Sequence, residues 1–74
     1  MIVTIEGEFL GVERWTDKKT GELRAATDLV SGNEAVHIMD YDAGESVKRL
    51  APVSVKCEMR VYRNGDVSFR AIKG

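Results

Sequence analysis

A single slip in a regular alternation dominates the first part of the sequence. Apolar side chains recur at every second position, but the phase moves by one between the first two and the last two members of the set Val3, Ile5, Leu10 and Val12. Alternation with a period of two is typical of a β-strand, and a phase change inside a strand requires a bulge or a bend. Gly7 and Gly11 provide backbone that can bend there. We therefore predict one long, bent strand over residues 2–16.

The size of the chain limits how this strand can be stabilised. With 74 residues the chain can form one domain with a small core. Its single cysteine, Cys57, excludes an intramolecular disulfide and a zinc-binding cysteine cluster. Stability must come from packing or from a partner subunit, and a homodimer is compatible with so small a chain. No signal sequence and no apolar run near ~18 residues is present, so we expect a cytoplasmic protein without a membrane partner.

Turn signals divide the remaining sequence into further strands. Hairpin turns are predicted at residues 17–22 and 31–34, and a three-residue loop closed by Gly65 is predicted at residues 63–65. The strands that these turns separate are predicted at residues 22–30, 34–40, 53–63 and 66–72.

One segment changes from the period of a strand to that of a helix. Its apolar residues follow one another at i, i+4 and i+7 and are Ala43, Val47 and Leu50. Asp42 is a suitable N-cap, and Glu45 three positions later completes the spacing of a capping box. Pro52 would end this short helix. The predicted fold is all-β with one short helix, a five-stranded barrel of order β-β-β-α-β-β in a single domain over residues 1–74.

Matching the apolar faces of neighbouring strands predicts their registers, because a shift of one residue turns every side chain over. On the inner face the predicted pairs are Leu10–Leu29, Val12–Thr27, Thr27–Ile38, Leu29–Val36, Val61–Val67, Met59–Phe69 and Cys57–Ala71. On the outer face they are Trp15–Arg24, Arg24–Tyr41, Ala26–Met39, Asp28–His37 and Glu58–Arg70. This register predicts an exposed aromatic row across three strands, formed by Trp15, Arg24 and Tyr41.

Charge is segregated along the chain, although the total is only −1. Residues 1–47 carry a net charge of −6 and residues 48–74 a net charge of +5. Asymmetry of this kind indicates a polyanion partner or a charge-complementary dimer. The segment 28–45 contains five carboxylates and no lysine or arginine. It would repel phosphate if it lay beside the aromatic row.

The predicted elements resemble a known barrel. Five antiparallel strands with a helix after the third, a bent first strand and a C-terminal hairpin resemble the oligonucleotide/oligosaccharide-binding (OB) fold. The resemblance covers the whole chain and rests on the order of the elements. Size and layout are similar to the small single-stranded DNA-binding proteins of phages, plasmids and conjugative elements, including the filamentous-phage gene V type. The acidic tail of the bacterial single-strand-binding family is absent from residues 69–74. A related barrel of the SH3-like kind is the alternative if residues 43–50 are not helical.

The resemblance implies that the protein binds single-stranded DNA or RNA with little sequence preference. Trp15 and Tyr41 would stack on bases, with Tyr62 as a further candidate. Phosphates would be met by the cations Lys18, Lys19, Arg24, Arg60 and Arg63. The competing interpretation is a protein–protein interaction barrel, an accessory or subunit of a phage or mobile element, in which the aromatic row is an interface.

Groups that could carry catalysis are few. His37 is the only histidine, it is predicted to lie opposite Asp28, and no serine or cysteine has an activating neighbour. Residues 40–45 loosely resemble a calcium loop, but the glycine is one position early and the further ligands are missing. We therefore expect no enzymatic activity, no cofactor and no metal site.

Overall fold

Five strands close into one barrel in a computed structural model, which describes residues 1–44 and 46–72. The strands are β1 (Ile2–Thr16), β2 (Leu23–Ser31), β3 (Glu34–Met39), β4 (Pro52–Val61) and β5 (Val67–Ala71). Each begins and ends within two residues of its predicted bounds. Around the barrel the strands neighbour one another in the order β1-β2-β3-β5-β4, and β4 pairs with β1 to close the ring. Among these five strands, only β3 and β5 pair in parallel.

β1 closes the barrel because its two halves pair with different strands. Residues 2–8 pair with β4 and residues 8–16 pair with β2. The register shifts between Phe9 and Gly11, which leaves Leu10 as the extra residue of a β-bulge. The predicted break in phase is therefore confirmed. The predicted pair Leu10–Leu29 is wrong, because the bulge moves Leu10 out of register and sets Phe9 opposite Leu29.

The registers of the hairpins confirm the predicted pairing of the other strands. The remaining predicted inner pairs are present, as are the outer pairs Trp15–Arg24, Ala26–Met39, Asp28–His37 and Glu58–Arg70. The inward side chains form a core of Phe9, Leu29, Ile38, Val55 and Cys57. Burial raises the pKa of the Cys57 thiol, as expected for a small core residue.

The bend in β1 brings two backbones unusually close. A Cβ placed on Gly7 would lie 2.4 Å from the carbonyl oxygen of Val30 on β2, well inside the sum of the atomic radii. A glycine is therefore required where the first half of β1 turns away from β2 and towards β4. No such obstacle exists at Gly11, where an added Cβ meets no heavy atom within 4 Å.

The strands are strongly tilted around the barrel. A path of paired residues that starts at Glu13 returns to β1 at a position eleven residues earlier. The residues on this path are, in order, Glu13, Ala26, Met39, Arg70, Glu58 and Ile2. Without the unpaired bulge residue Leu10 the offset is ten, and this offset is the shear that relates strand tilt to barrel diameter. Consequently the outer faces of β2, β3, β5 and β4 form one continuous curved surface.

The helix predicted over residues 43–50 is wrong for the residues that the structure describes. The chain between β3 and β4 passes through turns, with positive φ angles at Asp40 (58°), Gly44 (91°) and Leu50 (68°). Asp42 does accept a hydrogen bond from the Gly44 N–H at 2.8 Å, as an N-cap would. At Gly44, however, the backbone leaves the right-handed region. Glu45, the other half of the predicted capping box, lies outside the described residues.

Backbone hydrogen bonds to the bulge explain why this segment is not helical. The Leu50 N–H donates to the Phe9 carbonyl at 2.6 Å, and the Phe9 N–H donates to the Ala51 carbonyl at 2.9 Å. A helix of about two turns gains too few internal hydrogen bonds to offset its nucleation. The two bonds to β1 instead satisfy the Leu50 N–H, the Ala51 carbonyl and both backbone groups of Phe9.

The fold is thus an all-β closed barrel of five strands, without a helix among residues 1–44 and 46–72. This architecture is compatible with an OB fold. In the sequence, the helix predicted over residues 43–50 is the feature that favours an OB-like barrel over an SH3-like one. Without that helix, the two kinds of barrel are no longer distinguished. Within the described residues, no helix has the length and apolarity to cross a bilayer.

Gly7→Ala should destabilise the barrel, and Gly11→Ala should not. The added methyl of Gly7→Ala would collide with backbone at Val30, which cannot move without disturbing the β1–β2 ladder. We expect Gly7→Ala to lower the free energy of unfolding by about 2–3 kcal/mol, and Gly11→Ala by less than about 1 kcal/mol. Urea denaturation followed by tryptophan fluorescence measures both. Equal losses for the two variants would contradict the close approach at Gly7.

Candidate functional site

Trp15 lies near the end of β1 on the outer face of the barrel. Its cross-strand partner is Arg24 on β2, as predicted, and the residue is 37% exposed. Part of the indole ring is therefore open to solvent beside the β1–β2 hairpin. This combination gives a flat apolar surface that a ligand can reach.

The β1–β2 hairpin presents two lysines next to Trp15. Asp17 shapes the turn, because its Oδ1 accepts the Lys19 N–H at 2.8 Å and its carbonyl accepts the Gly21 N–H at 2.8 Å. The hydrogen bond from the Lys19 N–H is the main cause of the lowered pKa of Asp17. The hydrogen bond from the Thr20 N–H and the contact with Arg24 also lower this pKa. Lys18 and Lys19 are exposed at the tip. The hairpin thus fixes the backbone and leaves both ammonium groups in solvent.

Arg24 is held by carboxylates on both sides. Its Nη2 donates to Asp40 Oδ1 at 3.0 Å, and its Nη1 lies 3.6 Å from Asp17 Oδ2. The hydrogen bond to Asp40 is the main cause that raises the pKa of Arg24. The charge of this predicted phosphate-binding residue is therefore balanced within the protein.

Tyr41 does not extend the aromatic row. β3 ends at Met39, and the left-handed backbone of Asp40 turns the chain before Tyr41 can pair with Arg24. Tyr41 is half-buried and packs against the core, and its carbonyl accepts the Thr27 hydroxyl at 2.7 Å. The predicted Arg24–Tyr41 pair is wrong, because Asp40 occupies the place beside Arg24.

A second aromatic group lies further around the outer face. A small cleft of about 40 Å³ is lined by Met39, Glu58, Arg60, Tyr62, Ser68 and Arg70. Tyr62 is 52% exposed, and its hydroxyl lies 3.3 Å from the Ser68 Oγ. Arg60 is the cross-strand partner of Ser68. The cleft therefore combines an aromatic wall with two arginines and one carboxylate, that of Glu58.

The β4–β5 hairpin extends this second group. The Tyr62 N–H donates to the Asp66 carbonyl, and the Gly65 N–H donates to the Tyr62 carbonyl, which confirms a three-residue loop over residues 63–65. Asn64 Nδ2 donates to Asp66 Oδ2 at 2.8 Å. The Asp66 carboxylate is thus hydrogen-bonded to the Asn64 amide. Arg63, in the same loop, is exposed.

The acidic segment binds basic side chains of β1 and β3. Asp42 binds the Arg14 guanidinium through both oxygens, at 2.6 and 2.8 Å. This contact, together with the Gly44 N–H, lowers the pKa of Asp42 to about 2. The predicted pair of Asp28 and His37 is confirmed at 2.7 Å. Asp40 and Asp42 of this segment therefore neutralise arginines from β1, β2 and β5.

Ion pairing divides the cations of the described residues into two sets. Arg14, Arg24 and Arg70 lie within ion-pair distance of an aspartate. No ion pair occurs, among residues 1–44 and 46–72, for Lys18, Lys19, Lys48, Arg49, Lys56, Arg60 and Arg63. Four of the predicted phosphate-binding residues, all except Arg24, belong to this second set. Two further residues of this surface, Asp40 and Arg70, are in contact and lie between Trp15 and Tyr62. The sequence did not predict either of them as a binding residue.

Comparison with known proteins adds no relative to these observations. A scan against protein-family models and searches of curated proteins and of solved structures found no match. Among the described residues, no group of three or more histidine, cysteine or acidic side chains is arranged to hold a metal ion.

Arg14→Gln should raise the pKa of Asp42 from about 2 towards its ordinary value of 3.8. Because the folded pKa is the lower one, the contact stabilises the protein above about pH 4, and this contribution is lost as the pH falls through about 2. A carbon-detected NMR titration of the Asp42 carboxyl measures the shift. Arg63→Gln removes the same charge at a distant loop and should leave the Asp42 titration unchanged. An Asp42 pKa that is the same in Arg14→Gln and in the original protein would contradict the contact.

Proposed function

We propose that this barrel binds single-stranded DNA or RNA with little sequence preference and acts without catalysis, by holding or protecting the strand. The layout resembles the small single-stranded DNA-binding proteins with OB folds. The observation that carries the proposal is the outer face, where two exposed aromatic residues each lie beside cations that form no ion pair with the described carboxylates.

Trp15 and Tyr62 are the residues that we propose to stack on bases. Base–aromatic stacking contributes ~1–3 kcal/mol per base and tolerates any sequence, since every base has a π-face. The path between the two residues crosses β2, β3 and β5, and four strand spacings correspond to roughly 19 Å around the barrel. The registers also set Trp15 and Tyr62 about six residues apart along the strands, so their separation over the surface is roughly 28 Å. A strand of several nucleotides spans that distance. Tyr41 is left out of the proposed set because its side chain packs against the core.

Exposed cations at the two hairpins supply the proposed phosphate contacts. Lys18 and Lys19 lie beside Trp15, whereas Arg60 and Arg63 lie beside Tyr62, so each aromatic group has two. Single strands release about 0.7 counterions per phosphate neutralised. Four such contacts predict that the logarithm of the affinity falls with the logarithm of salt concentration with a slope of about −3.

Titration with oligo-dT tests the proposal directly, because the fluorescence of the single tryptophan reports on one site. We expect quenching of Trp15 that weakens with salt at the slope given above. The double variant Lys18→Gln, Lys19→Gln should reduce the magnitude of the slope by about 1.4. Lys56→Gln, an exposed lysine on the outer face of β4 away from both aromatic groups, is the single-charge control. No quenching and no binding by an independent assay would reject the proposal.

Substitution of single aromatic residues tests the assignment of the stacking surface. Trp15→Ala and Tyr62→Ala should each weaken oligonucleotide binding by about tenfold, which corresponds to about 1.4 kcal/mol of lost stacking. Tyr41→Leu keeps an apolar side chain against the core and should leave the affinity within about twofold. Fluorescence anisotropy of a labelled oligonucleotide measures all three, and circular dichroism checks that each variant folds. A loss for Tyr41→Leu equal to that for Trp15→Ala would mean that the row predicted from the sequence is the binding surface.

Exposed apolar residues on the β4–β5 hairpin favour a second candidate, a protein–protein interaction barrel. Val61 and Val67 face each other and are 64% and 47% exposed. They lie beyond the last pairs that link this hairpin to β1 and β3. A homodimer or another partner would cover them. An unchanged Trp15 signal with oligo-dT, together with self-association in sedimentation that Val61→Thr weakens, would favour this candidate.

A further inference from the structure

We propose that Arg24 and Arg70 form a phosphate-binding subsite in which the carboxylate of Asp40 takes the place of a phosphodiester. This inference rests on the proposed binding of single strands and deepens it. It assigns a role to Asp40 and Arg70, and it explains how Arg24 can contact phosphate although it is paired within the protein.

Asp40 lies between two arginines from different strands. Its Oδ1 accepts a hydrogen bond from the Arg24 Nη2 at 3.0 Å, and its Oδ2 lies 3.1 Å from the Arg70 Nε. A phosphodiester likewise presents two charged oxygens on one atom, and arginine recognises both groups through the same donors. Two guanidinium groups that hold one carboxylate in this manner are therefore spaced to hold one phosphate.

The subsite lies between the two aromatic groups. Arg24 is the cross-strand partner of Trp15, whereas Arg70 lines the cleft that contains Tyr62. Met39 pairs with Arg70 and continues the surface from β3 to β5. The side chain of Arg70 is 56% exposed, so a ligand can reach it from solvent. A strand that stacks on both aromatic residues would cross β2 and β5, the strands that carry Arg24 and Arg70.

The aspartates beside Arg24 and Arg70 limit the affinity of this subsite for phosphate in the original protein. Asp17 and Asp40 together balance the charges of Arg24 and Arg70. A phosphate must displace the Asp40 carboxylate or share the arginines with it, and two like charges in contact repel each other. Asp40 therefore weakens binding of the strand, and removing its charge should strengthen it.

Asp40→Asn tests this inference with little disturbance of the backbone. Asp40 has a φ of 58°, and asparagine is among the residues that adopt this left-handed conformation most readily. Asp40→Gly is the second variant, since glycine carries no steric penalty there. Glu6→Gln is the matched control, because it removes one negative charge from an exposed position on the half of β1 that pairs with β4.

We expect Asp40→Asn to bind oligo-dT about fivefold more tightly at low salt, the effect of one unit charge at close contact in water. The salt slope should steepen by about 0.7 for each additional phosphate that the variant neutralises. Glu6→Gln should change the affinity by less than about twofold. Binding by Asp40→Asn and Asp40→Gly that is no tighter than that of Glu6→Gln would overturn the subsite.

Arg70→Gln completes a double-mutant cycle with Asp40→Asn. It should abolish the tighter binding of the Asp40→Asn protein and should weaken the original protein by a smaller factor. Equal losses in both backgrounds would contradict masking of Arg70 by Asp40.

Inorganic phosphate separates failure of this inference from failure of the proposed function. If the original protein and Asp40→Asn both fail to bind oligo-dT, binding of single strands is rejected. The subsite is then tested by NMR, from the Nε–H resonances of Arg24 and Arg70 in Asp40→Asn during titration with phosphate. Saturable shifts that are absent from Glu6→Gln support the subsite, and their absence from Asp40→Asn overturns it.

Discussion

The close approach of Gly7 to the Val30 carbonyl is the constraint on which the rest of the barrel depends. It allows one strand to leave β2 and continue along β4, so that β1 supplies hydrogen bonds on both sides of the ring. The bulge at Leu10 absorbs the change of direction, and the segment before β4 bonds to the backbone of Phe9 beside it. Without this bend the sheet would keep two open edges, which are prone to pairing with other chains.

Closure of the barrel also decides which charges meet. Asp40 of the first part of the chain and Arg70 of the last part meet where β3 ends, since β5 pairs with β3 there. Asp40 thereby contacts Arg24 from β2 and Arg70 from β5. Among the described residues, this contact between Arg70 and Asp40 is the ion pair that links the two parts, and the other ion pairs lie within residues 1–47. The lysines and arginines at the hairpins remain in solvent beside Trp15 and Tyr62.

Much of the fold follows from the sequence because strand alternation and hairpin turns are local. The pairs Asp28–His37 and Met59–Phe69 could be predicted from the facing of side chains and the length of a turn alone. The helix over residues 43–50 could not be rejected in this way, since its spacing is helical and its competitor is a set of hydrogen bonds to distant β1. The predicted place of Tyr41 is wrong for a related reason. Extending the β3 register by two residues requires the strand to continue, whereas Asp40 turns the chain.

The sequence by itself determined the five strands, the inner face and the position of the break in β1, because these depend on a period of two and on residues close in the chain. Only the tertiary structure decided how the barrel closes, where the chain runs between β3 and β4 and which cations are paired. Those features depend on contacts between residues far apart in the sequence. A local sequence pattern does not specify such contacts. The aromatic row is the clearest case. Trp15 remains exposed at its predicted place, while the position predicted for an aromatic ring beside Arg24 holds the carboxylate of Asp40.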